Sequence, residues 1–135
     1  MKRAAKYRDS RTRPAVQYEF VLDKLDLVSP NKMLRMHWAT RREWKDIYSD
    51  AVWAVTEKWS KHLDPCHIKI ERLFTGRQKA MGPDKLVGSV KFLLDGMRSC
   101  GVISDDNPEC ISLEVHQRRT DTKAIRVTIQ RKAKA

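Results

Sequence analysis

Cysteine is scarce in this chain of 135 residues, and the three present, Cys66, Cys100 and Cys110, form no paired short spacing. An odd count without such pairs argues against a disulfide framework and for reduced thiols. The four histidines, His37, His62, His67 and His116, are scattered, and Cys66 beside His67 is too little to build a zinc site. No apolar run approaches the roughly 20 residues of a membrane-spanning helix. The opening Met1-Lys2-Arg3-Ala4 lacks the apolar core of a secretory signal. A soluble, cytoplasmic protein with no membrane partner is therefore expected. The chain has no internal repeat and no low-complexity domain, and its length suits one domain with a real core rather than two.

Acidic residues are also in deficit. Lysine and arginine number 28 against 17 aspartate and glutamate, a net charge of +11. Such an excess attracts phosphate and releases condensed counterions, so a nucleic-acid partner with steeply salt-dependent binding is expected. Part of the charge lies in residues 1–15, where Lys2, Arg3, Lys6, Arg8, Arg11 and Arg13 read as a basic arm. Residues 16–132 form the expected domain.

Hydrophobic periodicity orders that domain as strand, helix, strand, helix, strand, strand. Residues 18–25 alternate Tyr18, Phe20 and Leu22 with polar neighbours, as a strand does. A loop after Pro30-Asn31 carries Lys32, Arg35, Arg41 and Arg42 as candidate phosphate contacts. Thr40 and Glu43 make a capping-box signature for a helix whose apolar stripe is Trp44, Ile47, Tyr48, Ala51, Val52, Val55 and Trp59. Trp53 falls opposite that stripe, which marks it as a dimer contact or a DNA-stacking residue. Residues 67–74 read as a second strand, and the following loop offers Arg77 and Lys79. Ile111, Leu113 and Val115, then Ile125, Val127 and Ile129, read as the two strands of a hairpin. The fold class expected is α+β, a mixed or largely antiparallel sheet with two main helices.

The chemistry is concentrated in residues 82–106. Pro83 suits the first position of a helix, Leu86, Val90, Leu93 and Met97 recur at helical spacing, and Gly101 suits its end. On one continuous helix, at about 100° per residue, Asp84, Gly88, Lys91 and Asp95 fall within roughly 60° of one another. Gly88 would leave a gap on that charged face. Asp105-Asp106-Asn107-Pro108 follows as a turn that could fold back beside the helix. Clustered carboxylates suit Mg²⁺ or Mn²⁺. Each element also has a plainer reading: a helix-dipole partner for Asp84, a solvated pair for Lys91 and Asp95, and an ordinary turn.

Taken in order, Pro30-Asn31, His37-Trp38, Pro83-Asp84-Lys85-Leu86, Lys91, Leu94-Asp95-Gly96 and Gly101-Val102-Ile103-Ser104-Asp105-Asp106 resemble the RusA family of Holliday-junction resolvases, small enzymes common in phages and prophages. The resemblance covers roughly residues 18–130. It implies a homodimeric endonuclease that hydrolyses four-way or branched DNA with Mg²⁺ or Mn²⁺. It implies catalytic roles for Asp84, Lys91, Asp105 and Asp106, with Asp84, Asp105, Asp106 and Asp95 as candidate metal ligands. Lys85 joins the candidate DNA contacts. Two positions depart from the family pattern: Gly82 stands where a first aspartate is usual, and Lys85 where an asparagine is usual. The departures leave room for a junction-binding protein with an eroded metal site, and Glu71 is a candidate replacement oxygen.

Overall fold

Alternation of apolar and polar side chains builds a four-stranded sheet with one face for the core and one left open. The computed structural model describes residues 17–132; the basic arm expected over residues 1–15 lies outside them. In chain order the elements are β1 (Gln17–Asp23), α1 (Pro30–Arg35), α2 (Trp38–Thr56), β2 (Cys66–Phe74), α3 (Pro83–Gly88), α4 (Lys91–Ser99), β3 (Ile111–Arg119) and β4 (Ala124–Arg131). This is a small α+β domain with a mixed sheet and two principal helices, α2 and α4.

The sheet order is β1-β4-β2-β3, with β4 antiparallel to both neighbours and β3 parallel to β2. The hairpin expected between β3 and β4 therefore does not exist. Residues 120–123 carry the chain past the end of β2, where the Thr120 amide donates to the Phe74 carbonyl at 2.7 Å. Burial explains the placement. Ala124, Ile125, Val127 and Ile129 are all buried, so β4 belongs in the centre, whereas only Ile111 of β3 is buried and that strand takes an edge. Period-two patterning shows that a segment is a strand but not which strand lies beside it.

The core face joins Phe20, Leu22, Ile68, Ile70, Val127 and Ile129 to Tyr48 and Val52 of α2 and to Phe92, Leu93 and Met97 of α4. Gly96 permits the close approach of α4 to α2, because a Cβ there would stand 3.3 Å from the Ser49 nitrogen and the Tyr48 carbonyl carbon. Helix α2 starts earlier than expected. His37 is its N-cap, with Nδ1 accepting from the Ala39 amide at 3.2 Å, and Thr40 lies inside the helix. The buried stripe of α2 is Tyr48, Val52 and Thr56, while Ile47 and Val55 remain exposed. Trp53 is exposed, as its position implied, but it has an intramolecular partner: the Lys61 ammonium lies 4.7 Å from the centre of its ring.

Candidate functional site

The acidic region is two helices rather than one. Pro83 does open α3, with Gly82 as N-cap, but the helix stops at Gly88. The Ser89 hydroxyl donates to the Leu86 carbonyl at 2.6 Å and its amide to the same oxygen at 3.2 Å, which closes the turn. A new helix begins after Val90. The single helix on which Asp84, Gly88, Lys91 and Asp95 were expected to share a charged face is interrupted at this break, and Lys91 and Asp95 stay together on α4. The gap at Gly88 is filled, since a Cβ there would stand 2.6 Å from Pro30 Cγ.

Helix α4 ends as the sequence indicates. Gly101 takes φ of +78°, its amide donates to Arg98, and the Val102 amide donates to Met97. That pair of bonds is a Schellman motif, and it turns the chain back along the helix it has just left. Asp64 and His62 then fasten the return. The Ser104 amide donates to Asp64 Oδ1 at 2.8 Å, and Ser104 Oγ lies 3.0 Å from His62 Nδ1. Partial burial works against ionisation of Asp64, but the bonds from Ser104 prevail and lower its pKa.

Asp105 consequently arrives beside α4. Its Oδ1 stands 3.5 Å from Arg98, whose other nitrogen stands 3.7 Å from Asp95 Oδ1. Lys91 approaches Asp95 Oδ2 at 3.9 Å. Two carboxylates, one from the helix and one from the loop, thus share a single guanidinium. The Asp106 amide donates to Asp105 at 2.7 Å and the Asn107 side chain at 3.2 Å, and these bonds, with the charge of Arg98, lower the Asp105 pKa. Asp106 itself is exposed, as are Asp84 and Lys85 on α3. Among the described residues, no group of three or more His, Cys, Asp or Glu side chains stands close enough to hold one ion. Two carboxylates are the donor type Mg²⁺ takes, since it commonly uses one or two protein carboxylates and completes its shell with waters and substrate phosphate. Arg98 was missed in the sequence, although its spacing of three from Asp95 was the available signal.

The loop before Asp84 is held from beneath by a buried polar network. Arg72 is 4% exposed and donates to both oxygens of Asp26 at 2.7 and 3.1 Å, to the Lys79 carbonyl at 3.1 Å and to Gln117 Oε1 at 3.1 Å. Gln117 also clasps Met81, accepting from its amide at 2.9 Å and donating to its carbonyl at 2.6 Å. Gln78 donates to Asp26 at 2.9 Å. Residues 75–82 are thereby pinned, which leaves Arg77 and Lys79 exposed at the surface. Glu71 is not part of this region. It lies on the open sheet face opposite the core, 3.5 Å from Arg118, in a cleft shared with Glu19, Lys69 and Arg126.

The remaining basic candidates gather around α1 and α2. Lys32 lies 5.1 Å from the centre of the Trp44 ring, and Arg35 and Arg42 are exposed. Arg41 donates to the Met33 carbonyl at 2.7 Å, and together with Lys91 it lines a cleft between the helices. Cys66, Cys100 and Cys110 are free thiols, and burial pushes the Cys66 thiol up to about 11. No helix among the described residues is long and apolar enough to cross a membrane. No protein-family model matches the chain, and no curated protein matches it.

Proposed function

We propose that the protein is a metal-dependent, structure-selective DNA endonuclease of the RusA type, acting as a homodimer on four-way or branched junctions. The observation that carries this reading is the convergence of Asp95 and Asp105 on one cation, at 3.7 and 3.5 Å, at the surface of a chain with net charge +11. Asp95 and Asp105 would hold Mg²⁺ or Mn²⁺, with the exposed Asp84 and Asp106 as the further carboxylates that the sequence pattern assigns. The ion, when bound, supplies an activated water and neutralises charge on the scissile phosphate. Lys91 offers its ammonium to the negative charge that grows during attack. Arg98 has to leave the two carboxylates before an ion enters, and it then becomes a cation available to the phosphate. Lys32, Arg35, Arg41, Arg42, Arg77, Lys79 and Lys85 contribute phosphate contacts that position the duplex arms without reading bases.

A second reading, a junction-binding protein without cleavage, is favoured by two particulars: Gly82 brings no carboxylate, and Arg98 already neutralises the acidic pair. One experiment separates them. Purified protein is incubated with a labelled four-way junction and a matched linear duplex, in Mg²⁺, Mn²⁺ or chelator, beside Asp84→Asn and Asp105→Asn. Paired metal-dependent nicks in the junction alone, lost in the variants, are expected of the nuclease. Selective binding without cuts would establish the binding protein, and equal affinity for both DNAs would remove the junction reading altogether.

A further inference from the structure

The cleft between α1 and the first turns of α2 and α4 has a volume of about 340 Å³ and a composition that neither the sheet nor the acidic pair requires. Met33 and Phe92, 8% and 2% exposed, give it an apolar floor, and Leu34, 78% exposed, stands as an uncovered wall. Arg41, Lys45 and Lys91 line it, and no carboxylate among the described residues does. Arg41 commits one nitrogen to the Met33 carbonyl, but its Nε is buried with no hydrogen-bond partner among the described residues. That nitrogen is closed off from the cleft, so the demand for an anion there comes from the three lining cations, which concentrate one sign of charge against apolar walls. Trp38, 69% exposed, lies three residues before Arg41 and seven before Lys45, on the same side of α2.

From this geometry we infer that the cleft takes one unstacked nucleobase, with its neighbouring phosphates on Arg41, Lys45 and Lys91. The inference rests on DNA being the partner and adds how a branch would be recognised. A flat apolar ring flanked by anions is what a nucleotide offers, whereas a second copy of this chain would bring further positive charge to three cations. A base paired and stacked in duplex cannot enter, so occupancy selects branch points and single strands. Trp38 is placed to stack on the next base along the strand.

The test uses a short abasic phosphodiester strand carrying one central 2-aminopurine, compared with the same strand fully abasic, both in chelator. Wild-type protein is expected to bind the base-bearing strand about tenfold more tightly, with a change in 2-aminopurine emission. Leu34→Gln, at an exposed position that does not endanger folding, brings that ratio towards one. Lys45→Gln weakens both strands alike and lowers the salt slope by about one. Equal affinities in the wild type overturn the inference. So does a Leu34→Gln protein that keeps the ratio but changes oligomeric size, which would give the cleft to a second copy. Junction binding with a ratio of one removes the base pocket alone, whereas failure to bind any DNA removes the nuclease reading with it.

Discussion

Two arginines in this molecule each bring acidic or polar partners together, and they do so in opposite ways. Arg72 is buried and meets Asp26 through two bonds of 2.7 and 3.1 Å, with Gln117 and the Lys79 carbonyl taking its remaining donors. Arg98 is 49% exposed and reaches Asp95 and Asp105 only at 3.7 and 3.5 Å, beyond good hydrogen-bond length. A buried, saturated guanidinium cannot leave without stranding its donors and the carboxylate it holds. A half-exposed guanidinium in loose contact leaves readily, although Asp95 itself is no more open than Asp26, 15% against 22%. The first arrangement is scaffold, and the second has the properties of a site where one cation can replace another.

The sharpest way to break that contrast is to remove each guanidinium in turn. Arg72→Met takes the charged partner from Asp26, which keeps the Gln78 and Leu27 donors, and frees part of Gln117, so it is expected to cost about 3 kcal/mol in urea unfolding. Arg98→Met is expected to cost at most about 1 kcal/mol. Equal losses would show that both are structural.

Next come the carboxylates. On the nuclease reading, Asp105→Asn and Asp95→Asn should lower junction cleavage by about a hundredfold while leaving the unfolding midpoint nearly unchanged. Asp26→Asn should do the reverse, reducing stability without a selective effect on turnover per folded molecule. Arg98→Gln then tests exchange directly. With the resident cation gone, Mn²⁺ binding followed by paramagnetic resonance should tighten several-fold, and an unchanged affinity would mean that Arg98 does not compete with the metal.

Acid provides a third arrangement for comparison. On the open sheet face, His116 Nε2 at 2.5 Å and His67 Nε2 at 2.6 Å both hold the Glu114 carboxylate, which lowers its pKa from 4.5 to about 2. A depressed carboxylate stabilises the fold fully above its unfolded value. This contribution is complete above about pH 4.5 and is lost as pH falls through about 2. Glu114→Gln should therefore flatten the acid limb of the stability profile in that window, whereas Arg98→Gln, which removes only one of the causes lowering the Asp105 pKa, should flatten it less.

The smallest expected effect concerns Gly82. A Cβ there would meet nothing within 4 Å, and the residue is the N-cap of α3 without a side-chain bond. Gly82→Asp should raise stability by a few tenths of a kcal/mol, because an aspartate caps a helix slightly better than glycine. An added carboxylate beside Asp84 should also tighten metal binding, and a loss of activity would mean that the ion is held elsewhere.

The sequence revealed what local chemistry dictates and little of what distant contacts decide. The strands, the long helix, Pro83 as an opener and Gly101 as a stop were legible, since each rests on period or backbone preference within a few residues. The break after Gly88 was not, because it depends on Ser89 turning back to Leu86 and on Pro30 occupying the space beside the glycine. The pairing of Arg72 with Asp26 spans 46 residues and leaves no periodic trace. At the candidate site, Asp95 and Asp105 could be named from spacing. Their meeting across Arg98 required the return of the chain through residues 101–107, fixed by Asp64 and His62 from another segment.

The central position of β4 also has a bearing on how the chain is made. Residues 17–23 emerge first among the described elements, yet among the described residues they pair only with residues 124–131, the last described strand. Strand β2 likewise waits for that segment on one of its two sides. Until β4 has been made, β1 lacks the strand it pairs with, and the sheet closes only by joining segments more than 100 residues apart. Pairing over such a separation slows folding, and β4 is the strand that joins β1 to β2.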